Sequence, residues 1–201
     1  MKLYKVLFTL LIFNCVIAQE LPITSYSSFA DLSDNENDIK NGNYTVDTNN
    51  ERDQYVGTWE YNQNGITFQV KIEKIDQFLN KAEHNGQVHS YNYADVVTFK
   101  YKLIKNGITI HDNLNYTFTI NDIIPTATKE TTDNFLYGGF LDYNGQIMAT
   151  VIITRLNSIP EKIDFNVSPM AYYLLQPTEN YIEGQQLFFI PTGNIEMTKI
   201  D

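Results

Sequence analysis

The chain alternates. Ile66, Phe68, Val70 and Ile72 are separated by Thr67, Gln69, Lys71 and Glu73, a period of two that runs without an error from 66 to 73. This is the pattern of a strand with one face in a core and one in water. Just before it, Tyr55, Gly57, Trp59 and Tyr61 share one face, with Val56, Thr58, Glu60 and Asn62 on the other. Asn64-Gly65 between the two segments supplies the paired positive-φ positions of a tight hairpin. The same logic recurs where Val97, Phe99, Tyr101 and Leu103 alternate up to Asn106-Gly107 and continue as Ile108 and Ile110.

Further strands are expected at Tyr116-Phe118-Ile120, at Leu136 to Leu141, and at Ile147 to Leu156 after an Asn144-Gly145 turn. The last of these is apolar on both faces and so belongs in the middle of a sheet. Gly138-Gly139 marks a bend or a close backbone approach. Ile163 to Val167, Met170 to Leu175, Leu187 to Ile190 and Ile195 to Ile200 complete the set, broken apart by prolines. Asp76 to Tyr93 is the least regular part, read as a short helical turn around Phe78, Leu79 and Ala82 and then a loop; Thr126 to Asn134 reads as a polar loop. About eight to ten strands without a crossover helix predict an all-β fold, a single antiparallel up-and-down barrel, with a sandwich as second choice.

The N-terminus has a different pattern. Lys2 and Lys5 precede an apolar run from Val6 to Phe13, and Val16-Ile17-Ala18 offers a cleavage site before Gln19. Residues 1–18 therefore read as a signal peptide, too short in apolar length for a membrane span, and the protein is expected to be secreted or periplasmic. Cys15 is the chain's sole cysteine; with Asn14 before it, lipid attachment there is not expected. Cleavage after Ala18 leaves a chain with neither thiol chemistry nor disulfides. It also removes two lysines and no acid, moving the net charge from −10 to −12. That acidity, without a basic patch, argues against nucleic acid as a partner. Residues 19–52 are polar and form a leader that is in part disordered, with Ile23, Tyr26 and Tyr44 as local docking points; the β domain spans 53–201.

Gly57-Thr58-Trp59 at the start of the first strand resembles the G-x-W motif of the lipocalin and calycin barrels. That resemblance implies a tryptophan closing one end of a barrel over a small-molecule cavity. The lipocalin pattern places an arginine of the last strand over that tryptophan; here the last strand carries Lys199, and the arginines are Arg52 and Arg155. Over nearly the whole chain, the Ala-Gln signal end, the polar leader, Asn49-Asn50-Glu51 to Tyr55-Val56-Gly57-Thr58-Trp59, and the closing Ile190-Pro191 to Glu196-Met197-Thr198-Lys199 resemble a family of small secreted Bacteroidetes proteins of unknown function. The resemblance implies a secreted lipocalin-like β fold and brings no activity or catalytic residue with it.

Candidate chemistry is sparse. Asp34, Glu36 and Asp38 occupy the first, third and fifth places of a calcium loop, but Ile39 stands where the turn needs glycine and Thr45 where the closing glutamate belongs. A solvated linker is the better reading. His84, His89 and His111 read as surface residues, since the gap from His84 to His89 does not put both on one strand face. Glu60, Glu73, Asp142 and Glu196 fall on polar faces, and no nucleophile elbow, phosphate loop or zincin helix is present. No catalytic residue, metal or cofactor is expected.

The aromatic load, 14 Tyr and 12 Phe in 201 residues, is the unusual feature. Inward tyrosines and phenylalanines suit a hydrophobic or amphipathic ligand, and Trp59, Phe68, Phe99, Tyr101, Phe118, Tyr137 and Ile153 are the expected interior set. Equally, they suit an ordinary packed core. Three roles stay open: a binding barrel for a small apolar molecule, a structural or protein-interaction module, and an enzyme.

Overall fold

Asn64-Gly65, Asn85-Gly86 and Asn106-Gly107 each adopt the positive-φ pair of a primed hairpin turn, with φ of 53° and 74°, 52° and 75°, and 50° and 79°. These three turns fold the first half of the β domain back and forth in register. The computed structural model describes residues 21–31, 41–119, 121–129, 134–143, 147–170 and 188–201. The expected signal peptide, Cys15, the Asp34 to Asp38 run, the Asn144-Gly145 turn and all of Met170 to Leu175 beyond Met170 lie outside the described residues.

The strands, in chain order, are β1 (Ser25–Ser28), β2 (Asn43–Val46), β3 (Gly57–Gln63), β4 (Ile66–His84), β5 (Gln87–Lys105), β6 (Ile108–Asp112), β7 (Thr126–Thr128), β8 (Phe135–Asp142), β9 (Ile147–Leu156), β10 (Lys162–Pro169) and β11 (Gly193–Lys199). Only single turns of 3-10 helix, at Phe29–Asp31 and Glu51–Gln54, interrupt the β structure among the described residues. Pairing runs β5-β4-β3-β11-β10-β9-β8-β7 and returns from β7 to β5, so eight strands form a ring, antiparallel at every step. Strands adjacent in the ring are adjacent in the chain, save that β6 steps out to pair with β5 and that β11 returns to β3. This is the up-and-down order that the successive hairpins predict, and β9 sits between β8 and β10, as its two apolar faces require.

The ring closes on aromatic side chains. Phe140 lies 5.4 Å from Phe99, 5.5 Å from Phe165, 5.6 Å from Tyr101 and 6.3 Å from Phe68, ring centre to ring centre, in tilted and edge-on contacts. All five rings are fully buried. Trp59 lies toward one end, also buried, and its indole Nε1 donates to the Tyr55 carbonyl at 2.7 Å. Val70, Ile72, Leu136, Val151, Ile153 and Ile163 fill the space between. The alternation seen in the sequence is thus the in-and-out alternation of the ring wall.

The structure also corrects several expectations. Asp76 to Tyr93 contains no helical turn: β4 and β5 continue through it as one long hairpin. Gln77 takes φ 55°, and the register slips between Ile75 and Phe78. A bulge adds a residue and flips the phase of the alternation, which is why the period of two breaks there without the strand ending. Residues 113–119 form no strand, because local hydrogen bonds win: Tyr116 N–H donates to Asn113 O at 2.9 Å, and Asp122 accepts from both Thr119 N–H and the Tyr116 hydroxyl. Within the expected loop after Pro125, β7 supplies the short eighth wall of the ring.

Gly138 is what lets β7 dock. A Cβ there would stand 2.1 Å from the Thr126 carbonyl oxygen and 2.5 Å from Ala127 Cα, so the β7 backbone occupies the space of a side chain. Gly138→Ala is expected to push β7 off β8 and to cost about 1–3 kcal/mol, the range for forced overpacking. Urea unfolding measures it. Phe140→Ala, which empties the centre of the aromatic cluster, is expected to cost about 3–5 kcal/mol in the same assay.

Candidate functional site

From Glu73 to His84, β4 runs on past the end of β3, whose last pair with it is Gly57 with Ile72. β5 accompanies it, and β2 joins β5 in parallel through Tyr44 with Tyr93 and Thr45 with Ala94. β1 pairs with β2 in parallel in turn. The result is an arm of four strands, β4-β5-β2-β1, projecting from the Trp59 end of the ring. Two of its strands come from the polar leader, at Tyr26 and Tyr44 among others.

Arg52 holds the arm to the ring. Its side chain is 5% exposed, and every nitrogen of the guanidinium is engaged. Nε donates to Asp47 Oδ2 at 2.9 Å; Nη1 donates to the carbonyls of Val96 at 3.0 Å and Ile75 at 3.2 Å; Nη2 donates to Asp76 Oδ1 at 2.8 Å and pairs with Asp95 Oδ2 at 3.3 Å. Asp95 also accepts from the Tyr44 hydroxyl at 2.7 Å and from the backbone N–H groups of Asp47 and Gln77. Burial pushes the Asp95 carboxyl up, but those three hydrogen bonds and the Arg52 charge outweigh it and hold it below the usual carboxylate range. Burial and the same carboxylate push the Tyr44 phenol up to about 12.

Above this root, one face of the arm carries a row of rings in register: Tyr26 of β1, Tyr44 of β2 and Tyr93 of β5, with Leu79 of β4 next in line. Neighbouring rings stand 5.8 and 6.5 Å apart. Tyr93 is buried and Tyr26, at the open end, is 70% exposed.

The Trp59 end of the ring is covered by cations. Arg155 of β9 and Lys199 of β11 place their charged groups 5.4 and 5.6 Å from the indole centre. Gly57, at φ 129°, leaves the path that Lys199 takes, since a Cβ there would stand 2.7 Å from Lys199 Cε. Lys199 of the last strand thus lies over the tryptophan, with Arg155 beside it.

At the opposite end sits a second polar cluster. Asp142 is fully buried, accepting from the Tyr101 hydroxyl at 3.1 Å and from the Phe189 N–H. The His111 ring stacks on Tyr143 at 5.4 Å and lies 4.5 Å from Tyr101, and its Nε2 is buried without a hydrogen-bond partner. Burial lowers the His111 pKa, against the pull of Asp142, Asp112 and a hydrogen bond to Asn113. Asp142 and His111 are therefore not surface groups. The β8 alternation puts Leu136, Phe140 and Asp142 inside together, and β6 folds back over β5 to press His111 onto Tyr101.

Of the seven residues expected inside, the ring buries Trp59, Phe68, Phe99, Tyr101 and Ile153. Tyr137 points outward and is 37% exposed, because Leu136 takes the inward phase of β8. Phe118 lies in the segment without strand structure, its ring 5.8 Å from the Lys100 ammonium. His84 and His89, expected on different faces, have ring centres 6.3 Å apart at the tip of the arm. Arg52, the best-connected polar group of the fold, gave no signal in the pattern beyond being one of two arginines.

No group of three or more His, Cys, Asp or Glu side chains arranged to hold a metal occurs among the described residues, nor is any described helix long and apolar enough to cross a membrane. The ring, the sealed ends and the arm define an all-β domain whose polar clusters are built into its framework. The chain belongs to the family of unknown function DUF6705, whose model matches residues 1–200. No curated protein and no solved structure matches it.

Replacing Arg52 with Met leaves the buried Asp47 and Asp95 carboxylates facing each other, and is expected to cost about 3–5 kcal/mol in urea unfolding at pH 7. Asp95 gives up its proton more readily folded than unfolded. Its contribution is therefore complete above the ordinary carboxylate pKa of about 3.9 and lost as pH falls through and below it, so the variant should show a shallower acid loss than the native chain. For His111 the sign is that of a base kept neutral. The unfolded chain takes up a proton below about pH 6.5 more readily than the half-buried ring does, so stability falls as pH drops through that value. His111→Phe is expected to flatten this limb, compared at pH 7.5 and 5.5 by the urea midpoint.

Proposed function

We propose that this protein is an exported binding module that meets another protein through the outside of its arm, not through the interior of its ring. The observation that carries this reading is the row Tyr26, Tyr44 and Tyr93. Tyrosine brings a large, stiff contact surface with a polar tip, the composition of interface hot spots, and Tyr26 leaves that surface open to solvent at the edge of a rigidly rooted sheet. An apolar guest inside the ring, the other role compatible with the aromatic content, would have to displace rings already in mutual contact around Phe140. Export is supported by the basic start, apolar run and small-residue end of residues 1–18.

The test is photo-crosslinking. A benzophenone amino acid at position 26 of the full-length chain, expressed in the source organism, is expected to give a discrete covalent adduct in the extracytoplasmic fraction. The same probe at Ile159, fully exposed in the loop between β9 and β10 and on none of the arm's strands, is expected to give none. Equal labelling at both positions, or none at either, overturns the reading. The mature chain recovered from that fraction should begin at Gln19 and, in native mass spectrometry, carry no small-molecule mass.

A further inference from the structure

The tip of the arm brings two imidazoles together. In a plain two-residue hairpin closed by Asn85-Gly86, His84 pairs with Gln87 and each earlier residue pairs in step. Here the register slips: Glu83 pairs with Val88 but Ala82 pairs with Ser90, which leaves His89 as the extra residue of a bulge. Bulges re-aim side chains. This one sets the His89 ring beside the His84 ring, 6.3 Å between centres and 43° between planes.

That spacing has a chemical meaning. Metal–imidazole bonds of about 2.0–2.1 Å, added to the roughly 1.1 Å from ring centre to nitrogen, place two rings on one ion between about 5 Å apart at a tetrahedral angle and about 6.4 Å in line. The observed pair lies at the upper end of this range, the near-linear arrangement of two imidazoles on one ion. Both histidines are exposed, and neither imidazole makes a hydrogen bond among the described residues. The nearest carboxylate on β4, Glu83, is held by Lys81 at 2.6 Å. A solvent-open groove of about 540 Å³ lined by Asn80, Asn92, Ser90 and His89 among others opens on the His89 side of the pair.

We propose that His84 and His89 form a two-imidazole site for a divalent transition metal ion, with solvent in the remaining positions. Two neutral nitrogen donors and no thiolate favour Cu²⁺ over Ni²⁺ and Zn²⁺, and exclude Mg²⁺ and Ca²⁺, which want oxygen. The open positions make the site one of capture and exchange, unlike a closed structural zinc site. This inference stands apart from the protein-binding reading, since it uses neither Tyr26 nor a partner.

The experiment titrates the untagged, chelator-stripped mature chain with CuCl₂, NiCl₂ and ZnCl₂ separately, following binding by calorimetry and the histidine ring signals by NMR. One Cu²⁺ per chain is expected, bound more tightly than Ni²⁺ or Zn²⁺, with the His84 and His89 signals broadened and those of His111 unchanged. His84→Gln and His89→Gln should each weaken Cu²⁺ by about tenfold or more, since either change removes the chelate advantage of two linked donors. His111→Gln, at the other end of the ring, should leave the affinity alone. Equal Cu²⁺ affinity in the His84→Gln/His89→Gln double variant, or a single substitution at position 84 or 89 without effect, overturns the proposal. Circular dichroism of each variant confirms that the fold is kept, as expected for exposed tip residues.

Discussion

The architecture depends on one buried guanidinium. Arg52 is the point where the leader, the ring and the arm meet: Asp47 lies on the chain that leads in, Ile75 and Asp76 sit at the bulge of β4, and Val96 and Asp95 sit where β5 enters the ring. Burying a cation is costly unless its donors are satisfied. Here the fork has a fixed geometry and its partners come from three separate stretches of chain, so the compensation exists in one arrangement only. The arginine selects the one that aligns the bulge with the leader strands.

That selection fixes the root of the arm. Its strands run straight out of the ring wall, its root is clamped by charge-assisted hydrogen bonds, and its outermost strands are borrowed from a segment whose own composition is too polar to form a core. The ring below it is closed at both ends, by Arg155 and Lys199 over Trp59 and by the Asp142, Tyr101 and His111 cluster with Phe189 across it.

Much of the fold was legible in the pattern because half-buried antiparallel strands write themselves as a period of two and Asn-Gly turns mark their ends. The second hairpin, the central place of β9 and the close approach at Gly138 all follow from local rules. What was hidden was non-local. The Gln77 bulge reverses the alternation, so a continuous strand looks like its own end. β7 is three residues long and owes its existence to a glycine ten positions later. Tyr137 and Leu136 are both apolar enough to face inward, and only closure of the ring decides between them. Asp142, His111 and Arg52 look like surface groups by type, and their burial rests on partners distant in the chain.

The closure of the ring orders events in the life of the chain. β3 finds one neighbour at once, through the Asn64-Gly65 turn, but its other edge waits for β11, and the two meet through only Glu60 with Thr198 and Trp59 with Lys199. Thr58 adds hydrogen bonds to Asp201 and Ile200 beyond the last strand. The first wall of the ring is thus made early and keeps a bare strand edge until β11, the last of the described strands, is in place. An unpaired edge of that kind is where foreign strands add.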